Sequence, residues 1–314
     1  MRTMTSRSPS CTSVLGVLFV ALLGISASSV SNSVGAGDAA HFLRSGIGAR
    51  AVGMGGAFAA VASDVYAGYW NPAGLIQSTS VCVGGTYESR YDGLLEVQYL
   101  AGSFCSPTVG AGVIWAHSDI YSVYAFSGAV GLGGLTLGVS GKVYDFSATA
   151  ERAGGAGFDV GGLFRTSLGG VNLAFAVTSA DVAWSEIRWD EESYAARDYT
   201  AWVTRAGAVA GSQSPFGAWQ IATDFEIALR RPPLQGESDY FSSVALCTLS
   251  VGVEFWVEWI AVRVGLADIG LNNSEAGTRA TLGLGIQRGG MVIDVAWVPS
   301  QLGNTYILTM EERF

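Results

Sequence analysis

Apolar and polar residues alternate one by one through most of this chain. In 248–256, Leu249, Val251, Val253 and Phe255 fall on one parity, and Ser250, Gly252 and Glu254 on the other. In 259–267, Ile260, Val262, Val264 and Leu266 oppose Ala261, Arg263 and Gly265. In 278–287, Ala280, Leu282, Leu284 and Ile286 oppose Arg279, Thr281, Gly283 and Gln287. In 218–229, Trp219, Ile221, Phe225, Ile227 and Leu229 oppose Gln220, Asp224 and Glu226. Successive residues of a strand point to opposite faces, so each segment carries one apolar and one polar face. The same reading predicts fourteen strands, near 78–88, 94–103, 108–116, 121–130, 134–146, 155–167, 170–181, 200–211, 216–229, 241–257, 259–268, 277–288, 291–298 and 305–314. Short connections at 130–134, 167–170, 257–259 and 288–290 alternate with long polar ones at 147–154, 182–199, 230–240 and 268–276.

Such strands build either a soluble sandwich, apolar face inward, or a membrane barrel, apolar face to lipid. Composition decides between them. Hydrophobic residues make up 49% of the 314 residues, whereas Lys and Arg together number 17, too few to cover a soluble surface. The apolar run 14–25 is too short to span a bilayer as a helix, which takes about 20 residues. The 43 glycines also disfavour long helices. The polar face is mostly Gly, Ala, Ser and Thr with occasional charges, which suits a crowded or plugged lumen. The expected fold class is therefore all-β, a fourteen-stranded antiparallel transmembrane β-barrel at 77–314 with an N-terminal hatch plugging the lumen. An even strand count and alternating short turns and long loops are the outer-membrane arrangement, and the parity places the N-terminus in the periplasm. Of the last strand, Tyr306, Leu308, Met310 and Phe314 share one parity. The terminal Phe resembles the signal read by the outer-membrane assembly machinery.

The start of the chain reads as a secretion signal over 1–36. Arg2 and Arg7 precede an apolar core at 14–23, and small residues follow, with cleavage between about 28 and 37. This implies the outer membrane of a diderm bacterium, with membrane lipid as the surrounding partner. Cys82, Cys105 and Cys247 remain after export, all in or beside alternating apolar segments. They read as small packing residues, with a Cys82–Cys105 disulfide as the alternative. A net charge of −9 argues against nucleic acid.

Residues 37–76 lack strand alternation and are rich in small residues. They contain Gly46, Gly48, Gly53, Gly55 and Gly56, then Asp64, and end in Asn71-Pro72-Ala73 just before the first strand. Glycines permit tight turns and close contact with a wall, and Pro72 holds Asn71 extended so that its amide can bond nearby backbone. This combination resembles the hatch of the FadL-type long-chain fatty acid transporter superfamily, and most of all its PorV-like branch. The resemblance implies a fourteen-stranded barrel with the hatch folded into the lumen. It implies passive transport of a hydrophobic ligand held in the lumen, such as a long-chain fatty acid, the hatch shifting to release it through the wall. In the PorV-like branch it implies instead a partnership with proteins of a secretion system.

Other chemistry is sparse. A dinucleotide fingerprint at 46–51 would need a preceding strand and a following helix, which the pattern denies it. His41 and His117 stand far apart, so no metal site is expected, and no nucleophile motif points to an enzyme or a cofactor. The acidic run Asp190-Glu191-Glu192 reads as a solvated loop. Asp224, Glu226, Glu254, Arg263, Arg279 and Asp294 are expected to pair across the lumen.

Overall fold

A computed structural model describes residues 45–78, 81–148, 151–190, 197–230, 244–272, 277–300 and 303–314. The expected secretion signal, the first residues of the expected hatch, Cys11, His41 and the acidic pair Glu191–Glu192 lie outside the described residues.

The strands are β1 Val81–Arg90, β2 Leu95–Cys105, β3 Val109–His117, β4 Tyr121–Leu132, β5 Leu135–Ala148, β6 Glu151–Leu168, β7 Val171–Ala180, β8 Glu186–Trp189, β9 Arg197–Tyr199, β10 Trp202–Ser214, β11 Gly217–Arg230, β12 Val244–Val257, β13 Ile260–Gly270, β14 Arg279–Arg288, β15 Met291–Val298 and β16 Thr305–Arg313. Fourteen of them, all but β8 and β9, pair in a continuous antiparallel ring. β1 closes it on β16, from Cys82 opposite Arg313 to Ser89 opposite Tyr306. Closure removes the unpaired strand edges that a bilayer cannot satisfy.

Two details differ from the sequence reading. Most of the stretch 147–154, expected as a long loop, is paired strand: β5 runs on to Ala148 and β6 begins at Glu151, opposite it. Its Ser, Ala, Thr and Gly residues hide the alternation, but backbone pairing does not need apolar side chains. The long connection after β7 contains the hairpin β8–β9, which pairs on β6 at Ala153–Gly155, beyond the end of β7.

One end of the barrel carries the short turns. Gly169 and Gly170 both hold positive φ, +59° and +83°, the backbone that a two-residue hairpin requires and a side chain resists. The other end, called here the loop end, carries β8–β9.

The faces follow the alternation. In β13, Val262 and Val264 are 48% and 50% exposed, whereas Ala261 and Arg263, on the other parity, are 0% and 1%. Exposed Tyr87, Tyr124, Trp297 and Tyr306 ring the outside near the loop end, and Phe216, Trp259 and Phe314 ring it at the turn end. An apolar band between two aromatic girdles is the surface of a protein that sits in lipid. Tyr306, Leu308, Met310 and Phe314 all face outward on or beyond β16. The core lies inside the ring, where residues 45–78 pack against the inward face of the wall.

Candidate functional site

The segment inside the ring forms only short helices: α1 Ala49–Gly53, α2 Ala67–Trp70 and a 3-10 turn Pro72–Gln77. Its glycines are where it touches something. Gly46 and Gly48 lie under the rings of Trp70 and Tyr66, where a methyl group would come within 3.0 Å of each. Gly53 meets Gly283 of β14 backbone to backbone, and Gly55, at φ +69°, presses on the Leu266 backbone. Gly56 turns the chain beneath Trp70. The wall answers with its own glycines. A side chain at Gly252 or Gly265 would strike Met54 and Gly55, and one at Gly138 or Gly161 would strike 71–73. The small residues on the inner face of the strands are thus the imprint of this segment.

A buried irregular backbone needs partners for its polar groups. Asn71 supplies several: its Oδ1 accepts from the Ala73 N–H at 3.0 Å, and its Nδ2 donates to the Ala59 carbonyl at 3.0 Å and the Gly162 carbonyl at 3.4 Å. Pro72 opens the 3-10 turn, and Ala73 is fully buried against Gly138. The Asp64 carboxylate accepts from the Tyr66 N–H at 3.0 Å. Burial, with the nearby Glu311 charge, raises its carboxyl well above the ordinary range. The wall contributes the rest. Asp224 Oδ2 accepts from the N–H groups of Phe58 and Ala59 at 2.9 and 2.8 Å, Glu311 from Val65 at 3.1 Å, and Thr309 from Ala49 at 2.9 Å.

The luminal charges pair, but with neighbours along the wall and with the inner segment rather than across the lumen as expected. Glu254 accepts from Arg263 at 2.6 Å and from Arg50 of α1 at 2.9 and 3.0 Å, and Arg263 also reaches Asp294 at 2.7 Å. Glu226 pairs with Arg205 at 2.7 Å, and Arg279 with Asp268 near the loop end. Asp224 holds backbone rather than a cation. Cys82 and Cys105 are thiols: Cys105 donates to the Ser78 carbonyl at 3.0 Å, and Cys82 lies 3.2 Å from the Ser78 hydroxyl.

Two cavities flank the segment. On the loop side a pocket of about 70 Å³ lies between Ile47, Tyr69, Tyr99, Ile114, Val123 and Val203. Lys142, Asp159, Asp181, Arg205 and Thr200 are among its polar lining. Lys142 is held between Asp159 at 2.7 Å and Asp181 at 2.9 Å, and Arg205 by Glu226. Asp181 also accepts from the hydroxyls of Tyr144 at 2.5 Å and Ser185 at 2.8 Å, which ties the β7–β8 connection over the pocket. On the turn side a polar cavity of about 490 Å³ is lined by Ser63, Gln77, Arg165, Gln213 and Gln220 among others.

Sequence reasoning singled out the glycines, Asp64 and Asn71-Pro72-Ala73, and the structure places all of them in this one segment inside the ring. Tyr306, Leu308 and Phe314 stand apart from it, on the lipid face. It did not single out Lys142, Asp159, Asp181, Arg205 or Arg50. The signal available for the first four was their parity, each a charge at an inward position of a strand or its end.

No protein-family model and no curated protein matches the sequence. Among solved structures, the toluene transporter TbuX of Ralstonia pickettii aligns over 87% of this chain and 100% of its own, at 13% identity and a TM-score of 0.52. A ΔS2S3 mutant of the monoaromatic hydrocarbon channel TodX aligns over 86% and 99%, at 12% identity and a TM-score of 0.53. The likeness is one of fold, the closed antiparallel β-barrel.

Proposed function

We propose that this protein is a passive outer-membrane channel for small, uncharged apolar molecules, which bind in the pocket on the loop side of the plug. The observation that carries this reading is the pocket's lining: aliphatic and aromatic side chains, with both cations on its wall already neutralised by carboxylates. A buried anionic headgroup needs a cation or donors of its own, and without them its desolvation opposes binding. A fatty-acid carboxylate meets two carboxylates here, Asp159 and Asp181, while Arg205 is already held by Glu226. The likeness to a toluene transporter and a monoaromatic hydrocarbon channel points the same way. At about 70 Å³ the pocket is smaller than the roughly 150 Å³ that accepts benzene in an engineered protein cavity, so entry requires the plug or the β7–β8 connection to yield. In this reading the turn end and the N-terminus face the periplasm, residues 37–76 are the hatch, and residues 1–36 direct export. A scaffold role in secretion would leave the closed apolar pocket without a use.

The test is binding by the purified full barrel in detergent, followed by isothermal titration calorimetry with toluene and with decanoate. Saturable toluene binding, lost in Val203→Trp, with decanoate at least about tenfold weaker, is the expected result. Equal or tighter decanoate binding overturns the assignment.

A further inference from the structure

Two thiols converge where the inner segment joins the wall. Cys82 stands at the start of β1 and Cys105 at the end of β2, both at the turn end and both on the inward parity of their strands. Ser78, at the end of the inner segment, touches both: the Cys105 S–H donates to its carbonyl at 3.0 Å, and Cys82 Sγ lies 3.2 Å from its hydroxyl. In the ladder of β1 with β2, Cys82 is opposite Ser103, so Cys105 is its diagonal neighbour on the same face. Diagonal positions of an antiparallel pair have Cα atoms about 7–8 Å apart. A disulfide, with an S–S bond of about 2.05 Å, spans at most about 7 Å between Cα atoms. An ion between the sulfurs lengthens the link: at about 2.3 Å per metal–sulfur bond, the sulfurs sit up to about 4.6 Å apart. The pair is spaced too widely for a disulfide and within reach of one shared ion.

The donor set selects that ion. Structural zinc takes four ligands, and no group of three or more His, Cys, Asp or Glu suited to a metal exists among the described residues. Two thiolates favour a soft ion, and monovalent copper is satisfied by two. Its binding releases both thiol protons to solvent and leaves a complex of charge −1. The Ser78 hydroxyl is placed to donate to the Cys82 thiolate. Arg313, paired with Glu311, stands directly opposite Cys82 in the ladder of β1 with β16, so a cation borders the complex. Cys82 is buried and Cys105 only half-buried, which leaves an approach from the turn end.

We infer that Cys82 and Cys105 form a two-coordinate site for a soft monovalent ion, Cu(I), which bridges β1 and β2 beside Ser78. None of the three residues lines either cavity, so the site is separate from the proposed ligand pocket. Cys247 takes no part: it pairs with Ile227 on the lipid-facing parity of β12, towards the loop end.

The experiment is competition for Cu(I) between the full barrel in detergent, reduced with a phosphine under anaerobic conditions, and the chromophoric chelator bicinchoninate. Folding of each variant is checked by heat-modifiable gel mobility. Wild type and Cys247→Ser are each expected to take up one equivalent of Cu(I). Residues that only support a metal ligand are worth about 10–100-fold in affinity, so loss of a ligand in Cys82→Ser or Cys105→Ser is expected to weaken binding at least about a hundredfold. X-ray absorption of the copper-loaded wild type is expected to show two sulfur neighbours, and zinc titrated in parallel to bind more weakly than Cu(I). Uptake that survives undiminished in either folded Ser variant, uptake lost in Cys247→Ser, or copper with fewer than two sulfur neighbours overturns the site. So does a Cys82–Cys105 disulfide found by peptide mass mapping of the barrel purified without reductant. If neither Cys82→Ser nor Cys105→Ser folds, X-ray absorption of wild type and of Cys247→Ser decides.

Discussion

Glu254 joins the plug to the wall, and replacing it by Gln tests that link most directly. Glu254 is 1% exposed and accepts four hydrogen bonds: two from Arg50, one from Arg263 and one from Gln220 at 2.6 Å. A glutamine keeps one acceptor oxygen but turns an amide N–H₂ toward guanidinium donors. Arg263, whose side chain is fully buried, keeps only Asp294. Removing one member of a buried ion network costs about 3–5 kcal/mol, because the remaining charge stays buried without its partner. Val253→Ala, one residue away on the lipid face, removes two carbons at roughly 0.8 kcal/mol each. The assay is urea unfolding from liposomes followed by tryptophan fluorescence. Glu254→Gln should lower stability by at least about twice as much as Val253→Ala. In an Arg50→Met background its cost should shrink by about 0.5–3 kcal/mol, since the two residues share a pair. A Glu254→Gln barrel as stable as Val253→Ala, with costs that simply add in the double variant, refutes that link.

Two further expectations concern pH and topology. Asp64 has its carboxyl raised to about 7 from 3.8, so the folded state holds a proton that the unfolded chain gives up. Stability should therefore fall as pH rises from about 4 to about 7 and then level off, and Asp64→Asn should flatten that dependence in unfolding midpoints taken at pH 5 and 8. A midpoint that rises over this range in wild type, or an unchanged slope in Asp64→Asn, contradicts the assignment. For topology, Arg188→Cys on β8 at the loop end should react with a membrane-impermeant maleimide on intact cells, and Gly169→Cys only after the outer membrane is opened. Labelling of Gly169→Cys in sealed cells would invert the proposed orientation.

The strands of the barrel wall, their number and the face each residue takes were legible in the sequence, because they depend on a period of two read over eight or ten residues; the hairpin β8–β9 was not. Val262 and Arg263 are assigned to lipid and lumen by adjacency alone. Where small residues blur that period, as in 147–154, the reading ended the strands early, and only the pairing of β5 with β6 revealed them. The glycines and Asn71-Pro72-Ala73 announced a segment in tight contact with something, but the sequence could not say what each would touch. That was decided by closure of the ring, which fixes the heights at which strands far apart in sequence face each other. Arg50 and Glu254 are 204 residues apart and meet only because closure of the ring sets α1 against the inner face of β13–β16, beside β12. Lys142, Asp159 and Asp181 are isolated charges on two strands and a loop until β5, β6 and the β7–β8 connection converge, neutralise one another and leave an apolar pocket between them. A local pattern sets which way a side chain points, and the tertiary register sets what it finds there.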